Sequence, residues 1–325
     1  MDRKRIAVSA AAAGMCIVLI MVMLLTMPVK KAPRVGICIA SLKNSKSFTD
    51  LIQDDLTKNG CTVSIADAAG DQSVQLKQLQ QLISDGCDAV IIDPVMRSAT
   101  EELSVILEKA NIPAVFIGQP PENSAADQQK NICYVTSDAS QLGYLQGQLI
   151  LDVANHGDVN DDGIVSYLLL QDDPQMIHTL PRSTGAVQAL TDAGVSVTAL
   201  KTLCGYNDQA ESRTLCMQSL AELGKDIEVI FCNTDTMALG ALEAIQDGGW
   251  VVGTDIYLVG IGGDQEVLKK INDGILTGTI MEDIAGQATT AANTALRLLH
   301  SETVARVCYI DYLKITKENI ALYLN

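Results

Sequence analysis

From Arg34 onward the chain repeats one pattern: a short continuous apolar run, then a stretch with apolar residues at helical spacing. VGICIA is followed by Phe48, Leu51, Ile52 and Leu56, a stripe that Asn59-Gly60 stops. CTVSIAD comes next, then Val74, Leu76, Leu79, Leu82 and Ile83 up to Gly86, then DAVII, a helix over 97–110, and PAVFI. Val/Ile runs without alternation suit strands buried on both faces, which is the condition of a parallel sheet covered by helices on each side. The rhythm breaks near Tyr134–Ser140 and restarts. A helix over 139–154 precedes IVSYLLL, then helix 181–193 and VSVTAL, helix 209–223 and IEVIFCN, and helix 235–247 and DIYLVGI. Two successive sets predict an α/β protein with two doubly wound parallel-sheet lobes joined by a hinge. Ligands of such sheets bind outside the carboxyl ends of the strands. The loops to inspect therefore follow VGICIA, DAVII, PAVFI, SYLLL, VIFCN, LVGI and GTIM.

The first 33 residues stand apart. Arg3, Lys4 and Arg5 precede an uncharged, mostly apolar run of 22 residues, Ile6 to Met27, and Lys30, Lys31 and Arg34 follow it. That length suits a spanning helix and is long for a signal-peptide core. Met15 stands where a lipoprotein signal needs a small residue before Cys16, and no small-x-small cleavage site lies near Met27. The expectation is an uncleaved membrane anchor with its N-terminus inside, the rest being extracytoplasmic; a cleaved signal is the alternative.

Composition narrows the function. A net charge of −16 lacks the basic footprint of a nucleic-acid partner. A helix-turn-helix regulator is disfavoured too, because a membrane segment occupies the place its reading head would need. No Gly-rich phosphate loop, G-x-S-x-G elbow or H-E-x-x-H is present, and His156, His178 and His300 have no evident triad partners, so the chain reads as a binding protein rather than an enzyme. An anchored enzyme using paired carboxylates on a sugar stays open as an alternative. Nine cysteines show no CxxC; several lie within strand runs, where a free Cys acts as a small apolar residue. A Cys204–Cys216 bridge is conceivable from the sequence but not favoured.

One loop carries cation chemistry. DVNDDGIVS places Asp158, Asn160 and Asp162 at alternate positions with Gly163 next, the opening of an EF-hand loop. The twelfth position, where an EF-hand has a bidentate Glu, is Leu169, within a strand-like run. Either the segment is an acidic turn or its last carboxylate comes from elsewhere.

DQSVQLKQLQQLISDGCDAVIIDPV, ANIPAVF, CNTDTMALGALEAI and LVGIGG, in this order and spacing, resemble the type I periplasmic sugar-binding proteins. The similarity runs from Arg34 to Asn325 and is nearest the glucose/galactose-binding branch, which carries a calcium loop at this point. The resemblance implies lobes of 34–137 plus 283–308 and 138–282 plus 309–325. It supplies the missing ligand as Glu228 in IEVIF, giving a structural Ca2+ site of Asp158, Asn160, Asp162, the Ile164 carbonyl, Ser166 and Glu228. All six are oxygen donors, as a hard cation requires. Ser166 stands where the branch has Gln.

The implied ligand cleft comprises Lys46, Phe48, His178, Arg182, Tyr206, Thr234, Asp235, Asp264 and Glu282. Phe48 matches an aromatic that stacks on a sugar ring, and Arg182 a guanidinium that forks onto vicinal hydroxyls. Other positions depart from the glucose pattern: Lys46, Gly118, Met176, His178, Thr234, Gly262 and Glu282 replace its polar contacts, and Tyr206 its Trp. Unpaired hydroxyls cost about 1–3 kcal/mol each, so glucose and galactose fit poorly. Local readings compete. Phe48 is also the first core residue of its helix stripe, Asp235 and Asp264 are placed to cap helices, Arg182 can pair with Asp172 or Asp173, and Glu282 sits at a lobe crossover. The expected function is an extracytoplasmic solute-binding protein that closes on a small carbohydrate and presents the closed form to an ABC importer or a membrane signalling partner. A sensor with a degenerate cleft is the other variant.

Overall fold

The computed structural model describes residues 31–120, 131–176 and 179–324. The anchor segment falls almost wholly outside these residues. Among the described residues, no helix is long and apolar enough to cross a membrane.

The strands are β1 (Arg34–Ile39), β2 (Thr62–Asp67), β3 (Ala89–Ile92), β4 (Ala114–Ile117), β5 (Ile132–Thr136), β6 (Val165–Gln171), β7 (Val197–Cys204), β8 (Val229–Cys232), β9 (Tyr257–Gly262), β10 (Gly278–Met281), β11 (Val307–Tyr309) and β12 (Leu313–Thr316). They form two six-stranded sheets, ordered β11-β5-β4-β3-β1-β2 and β12-β10-β9-β8-β6-β7. The helices are α1 (Leu42–Lys58), α2 (Gln72–Ser84), α3 (Thr100–Lys109), α4 (Gln141–Leu151), α5 (Thr179–Asp192), α6 (Gln209–Leu223), α7 (Asp235–Asp247), α8 (Gln265–Asn272) and α9 (Ile284–Leu299).

Each interior strand is buried on both faces, and its alternate residues enter different cores. In the first lobe Val35, Ile37 and Ile39 pack with Ile52, Leu56 and the alanines of α9, while Cys38, Val90 and Ile92 pack with Leu79, Leu103 and Phe116 on the opposite face. In the second, Leu168, Leu170 and Ile230 face α6 and α7, and Val165, Leu169 and Phe231 face α4 and α5. Burying one such side chain is worth about 1.5–3 kcal/mol, so a one-residue slip in register is prohibitive. The outer strands β2 and β7 show mixed burial along their length, since each has a neighbour on one side only. Leu51, read as part of the α1 stripe, is exposed instead.

One strand corrects the all-parallel expectation: β12 pairs antiparallel with β10. The cause is the connection. Strand β11 runs parallel to β5 and ends at the edge where the lobes meet, and three residues (310–312) carry the chain straight into the second sheet. A parallel entry would need a long return crossover, so β12 runs away from the junction while β10 runs toward it. The chain also passes between sheets at 137–140 and at 282–283. All three passages leave from carboxyl ends of strands, so the carboxyl ends of both sheets face one another.

Candidate functional site

Arg182 is the centre of what the strand ends bring together. It lies in the first turn of α5, and its Nη1 donates to the carbonyl oxygen of Asn233, just after β8, at 3.1 Å. Asp172 after β6, Glu282 after β10 and Tyr312 in the third passage surround it electrostatically. Burial depresses the basicity of the guanidinium; Tyr312, Asp172 and Glu282 oppose that shift. Its Nε is buried and makes no hydrogen bond. A donor left in this state costs free energy unless an acceptor arrives.

The sequence folds locally so that Arg182 is held. Asn233 is fully buried, and its Nδ2 donates to Ser183 Oγ at 2.9 Å, tying α5 to the end of β8. On the other side α5 lies directly on α4: a Cβ at Gly143 would stand 2.2 Å from the Arg182 carbonyl oxygen, and one at Gly185 2.7 Å from the Tyr144 nitrogen. Glycine at these positions is what permits the approach. Tyr312, packed against the core of the second lobe, is pushed up to about 12 by burial and then by Glu282, so it stays a neutral phenol.

The other predicted cleft residues separate. Phe48 is 7% exposed and packs with Val35, Ile37, Ile52 and the α9 alanines as part of the first lobe's core. Lys46 is exposed and pairs with Asp50 one helical turn on, at 2.6 Å. Tyr206 is 60% exposed, in a left-handed pair with Asn207. Thr234, rather than Asp235, is the N-cap of α7, accepting from Met237 N. Asp235 instead turns inward, taking Thr279 Oγ1 at 2.6 Å and the nitrogens of Gly263 and Asp264. Asp264 caps α8 by accepting from Glu266 N. Glu282 stands beside Arg182 and Tyr312. His178 lies outside the described residues.

Sequence reasoning missed Asn233, Tyr312 and Asp93. Asn233 had a signal, a polar residue closing the continuous apolar run IEVIFC. Asp93 closes DAVII in the same way; burial raises its carboxyl, and a hydrogen bond from the Ala40 backbone opposes this. Tyr312 had none, because nothing local says that the last passage returns to Arg182.

The acidic loop lies at the opposite end of the second sheet, before β6. Its side chains wrap their own backbone: Asp158 accepts from Asp162 and Gly163, Asn160 from Asp162, and Asp162 from Ile164. Asp161 and Gly163 have φ of 62° and 86°, which turns the chain tightly. Glu228, fully buried just ahead of β8, reaches into this loop. One carboxylate oxygen accepts from Val159 and Asn160 (2.8 and 3.0 Å), the other from Ser166 (2.8 Å). Its own nitrogen donates to the Ser166 carbonyl. Glu228 and the loop thus meet across 62 to 70 positions of sequence. Among the described residues, no three His, Cys, Asp or Glu side chains converge as a metal-holding group: Glu228 faces backbone N–H rather than joining Asp158 and Asp162. The cysteines of the doubtful bridge are both free. Cys216 is buried in the core, and Cys204 accepts from Gln171 Nε2 at 3.3 Å.

The family model for the periplasmic binding protein domain matches residues 35–303. The chain belongs to this family. Among curated proteins, a D-galactose/methyl-galactoside binding periplasmic protein, MglB of Haemophilus influenzae, is 28% identical over 309 residues, covering 90% of this chain and 92% of that protein. The ribose import binding protein RbsB of Bacillus subtilis is 30% identical over 285 residues, 85% of each. An ABC transporter solute binding protein from Bacillus halodurans, solved with myo-inositol, superposes with a TM-score of 0.62 at 22% identity, covering 91% of this chain and 99% of that one. This last likeness establishes the two-lobe fold alone. Arg182 gathers groups from the carboxyl ends of β6, β8 and β10, all in the second sheet, together with Tyr312 of the third passage.

Proposed function

We propose that this periplasmic binding protein captures a small carbohydrate between its lobes and delivers it to an ABC importer in the extracytoplasmic space. The observation that carries the reading is Arg182: a half-buried guanidinium whose buried Nε makes no hydrogen bond, within electrostatic reach of Glu282, Asp172 and Tyr312. One donor fork beside several acceptors matches a ring of hydroxyls, each of which both gives and accepts a hydrogen bond. The galactoside, ribose and inositol ligands named for the similar proteins are all of this class. Lobes linked by three short passages can close only if the ligand contacts both, which makes closure a population shift and the closed form the signal an importer reads. Such a cycle requires no bond-making chemistry, in keeping with a transport protein rather than an enzyme.

Isothermal titration of the purified full-length protein against galactose, ribose, allose and myo-inositol tests this. Saturable binding of at least one is expected, with Arg182→Met weakening it about 10–100-fold through loss of charge-assisted hydrogen bonds. Binding that survives Arg182→Met unchanged would move the site elsewhere.

For the loop before β6 the proposal includes a structural Ca2+, held by Asp158, Asn160, Asp162, the Ile164 carbonyl, Ser166 and Glu228. What supports it is an all-oxygen donor set in a loop already turned tightly, with a buried carboxylate delivered from β8. A carboxylate oxygen accepting one N–H keeps a lone pair for a cation, although Glu228 must turn to share it. The loop lies away from the strand ends that face the ligand, so the ion would fasten 158–166 to β8 and take no part in ligand capture.

The N-terminal run is proposed as the tether that keeps the domain at the outer face of the membrane.

A further inference from the structure

The sulfurs of Cys133 and Cys308 stand 3.7 Å apart, although 175 positions separate them in sequence. Cys133 lies in β5 and Cys308 in β11, an edge strand of three residues whose single neighbour in the sheet is β5. In the register of this parallel pair Cys308 is level with Val135, two residues beyond Cys133, so both side chains emerge on the same face. Hydrogen bonds on either side hold the strands together: Tyr134 N to Arg306 O and Ile310 N to Thr136 O, both 2.8 Å. The two cysteines also occupy matching places in the chain path. Cys133 precedes the first passage to the second lobe and Cys308 precedes the third.

We propose that Cys133 and Cys308 form an intramolecular disulfide that closes residues 133–308, including segment 138–282 of the second lobe, into a covalent loop rooted in the first lobe. A disulfide needs sulfurs about 2.05 Å apart, and a diagonal pair on parallel strands has a longer Cα separation than a directly opposed one. The closing movement falls on β11, which is short and free on its outer side. Cys133 is fully buried while Cys308 is half-buried, so entry is at Cys308. Its thiol attacks an external disulfide, forming a mixed disulfide and releasing one thiol; Cys133 then attacks the Cys308 sulfur and releases the second. The two electrons and two protons of the cysteine thiols end on the oxidant. Burial and the neighbouring Cys308 push the Cys133 thiol up to about 12, which makes it a poor partner for reagents in solution and leaves proximity as its route to reaction.

The test uses full-length protein purified without reductant and equilibrated with oxidised glutathione. Free thiols are blocked with iodoacetamide, and peptides are mapped with and without reduction. The expected result is a linked Cys133–Cys308 peptide pair lighter by two hydrogens than the separate thiols. Reduction should lower Tm by about 5 °C or more, as loss of a cross-link closing a loop this long implies, and Cys308→Ser should remove that redox dependence. Alkylation of both residues after oxidation overturns the proposal, as does a stable glutathione adduct on Cys308 with Cys133 free. The unmutated protein supplies these readouts even if Cys308→Ser folds poorly.

Discussion

Asp235 shows how a side chain placed by sequence to cap a helix can take a different partner in the fold. Its place after IEVIFCNT marks a helix start, and Thr234 takes the cap instead. Asp235 is then free to turn into the second lobe, where a Cβ on Gly260 would stand 2.3 Å from its Oδ1. It is 3% exposed, and burial raises its carboxyl to about 6 against the pull of Thr279, Asp264 and Gly263. The folded protein therefore holds this proton more tightly than the unfolded chain, whose Asp titrates near ~3.9. The ionised form is penalised above pH ~6, and stability from this group increases as pH falls toward ~4. Between pH 7.5 and 5 the wild type should gain about 1 kcal/mol relative to Asp235→Asn, measured as denaturant midpoints at both pH values. A difference independent of pH would show that the Asp235 carboxyl is not raised above its value in the unfolded chain. The resemblance of the IEVIF phrase led to Glu228 being expected at the acidic loop, and the structure places it there, accepting from the backbone of Val159, Asn160 and Ser166. Phe48 was not legible in this way, because an aromatic at the start of a helix stripe fits a core and a sugar platform equally well until its neighbours are known.

The elements themselves were largely written in local pattern. Continuous apolar runs and helical stripes depend on residues a few positions apart, and 209–223 and 235–247 agree in the structure to the residue. Helix 139–154 ended early, at Leu151, because Asn155 and His156 adopt left-handed conformations before the acidic loop. What pattern could not show is how tightly two helices approach. Gly143 and Gly147 read as unremarkable small residues, yet a Cβ on either would lie 2.2 Å from a backbone oxygen of α5. Gly143→Ala should therefore part α4 from α5 at a cost of about 1–3 kcal/mol or more, seen as a lower Tm. It should also weaken sugar binding in the same titration, since Arg182 moves with its helix. Lost stability with unchanged affinity would mean that Arg182 is positioned by Asn233 alone.

At the scale of the whole molecule, the two lobes are joined by passages of a few residues, and each lobe has its own fastenings. If Ca2+ fastens the acidic loop to β8, adding it to chelator-treated protein should raise Tm by several degrees, about 2–4 °C for each kcal/mol of linkage. Glu228→Gln should remove most of that rise. The variant also distinguishes the ion from the hydrogen bonds Glu228 already makes: a lower Tm without loss of the calcium response would leave the carboxylate a backbone anchor only. The sequence by itself determined the alternation of strands and helices, the break between two doubly wound sets and the family phrases, because each depends on short-range periodicity or on a pattern shared along the chain. Only the tertiary structure decided that β12 runs antiparallel, that Phe48 is core, that Asn233 and Tyr312 meet Arg182, and that Cys133 touches Cys308. Those outcomes are set by the three returns of the chain between sheets, which bring together residues as far apart as Cys133 and Cys308, 175 positions, or Asp55 and Thr289, 234 positions, and no local pattern carries such distances.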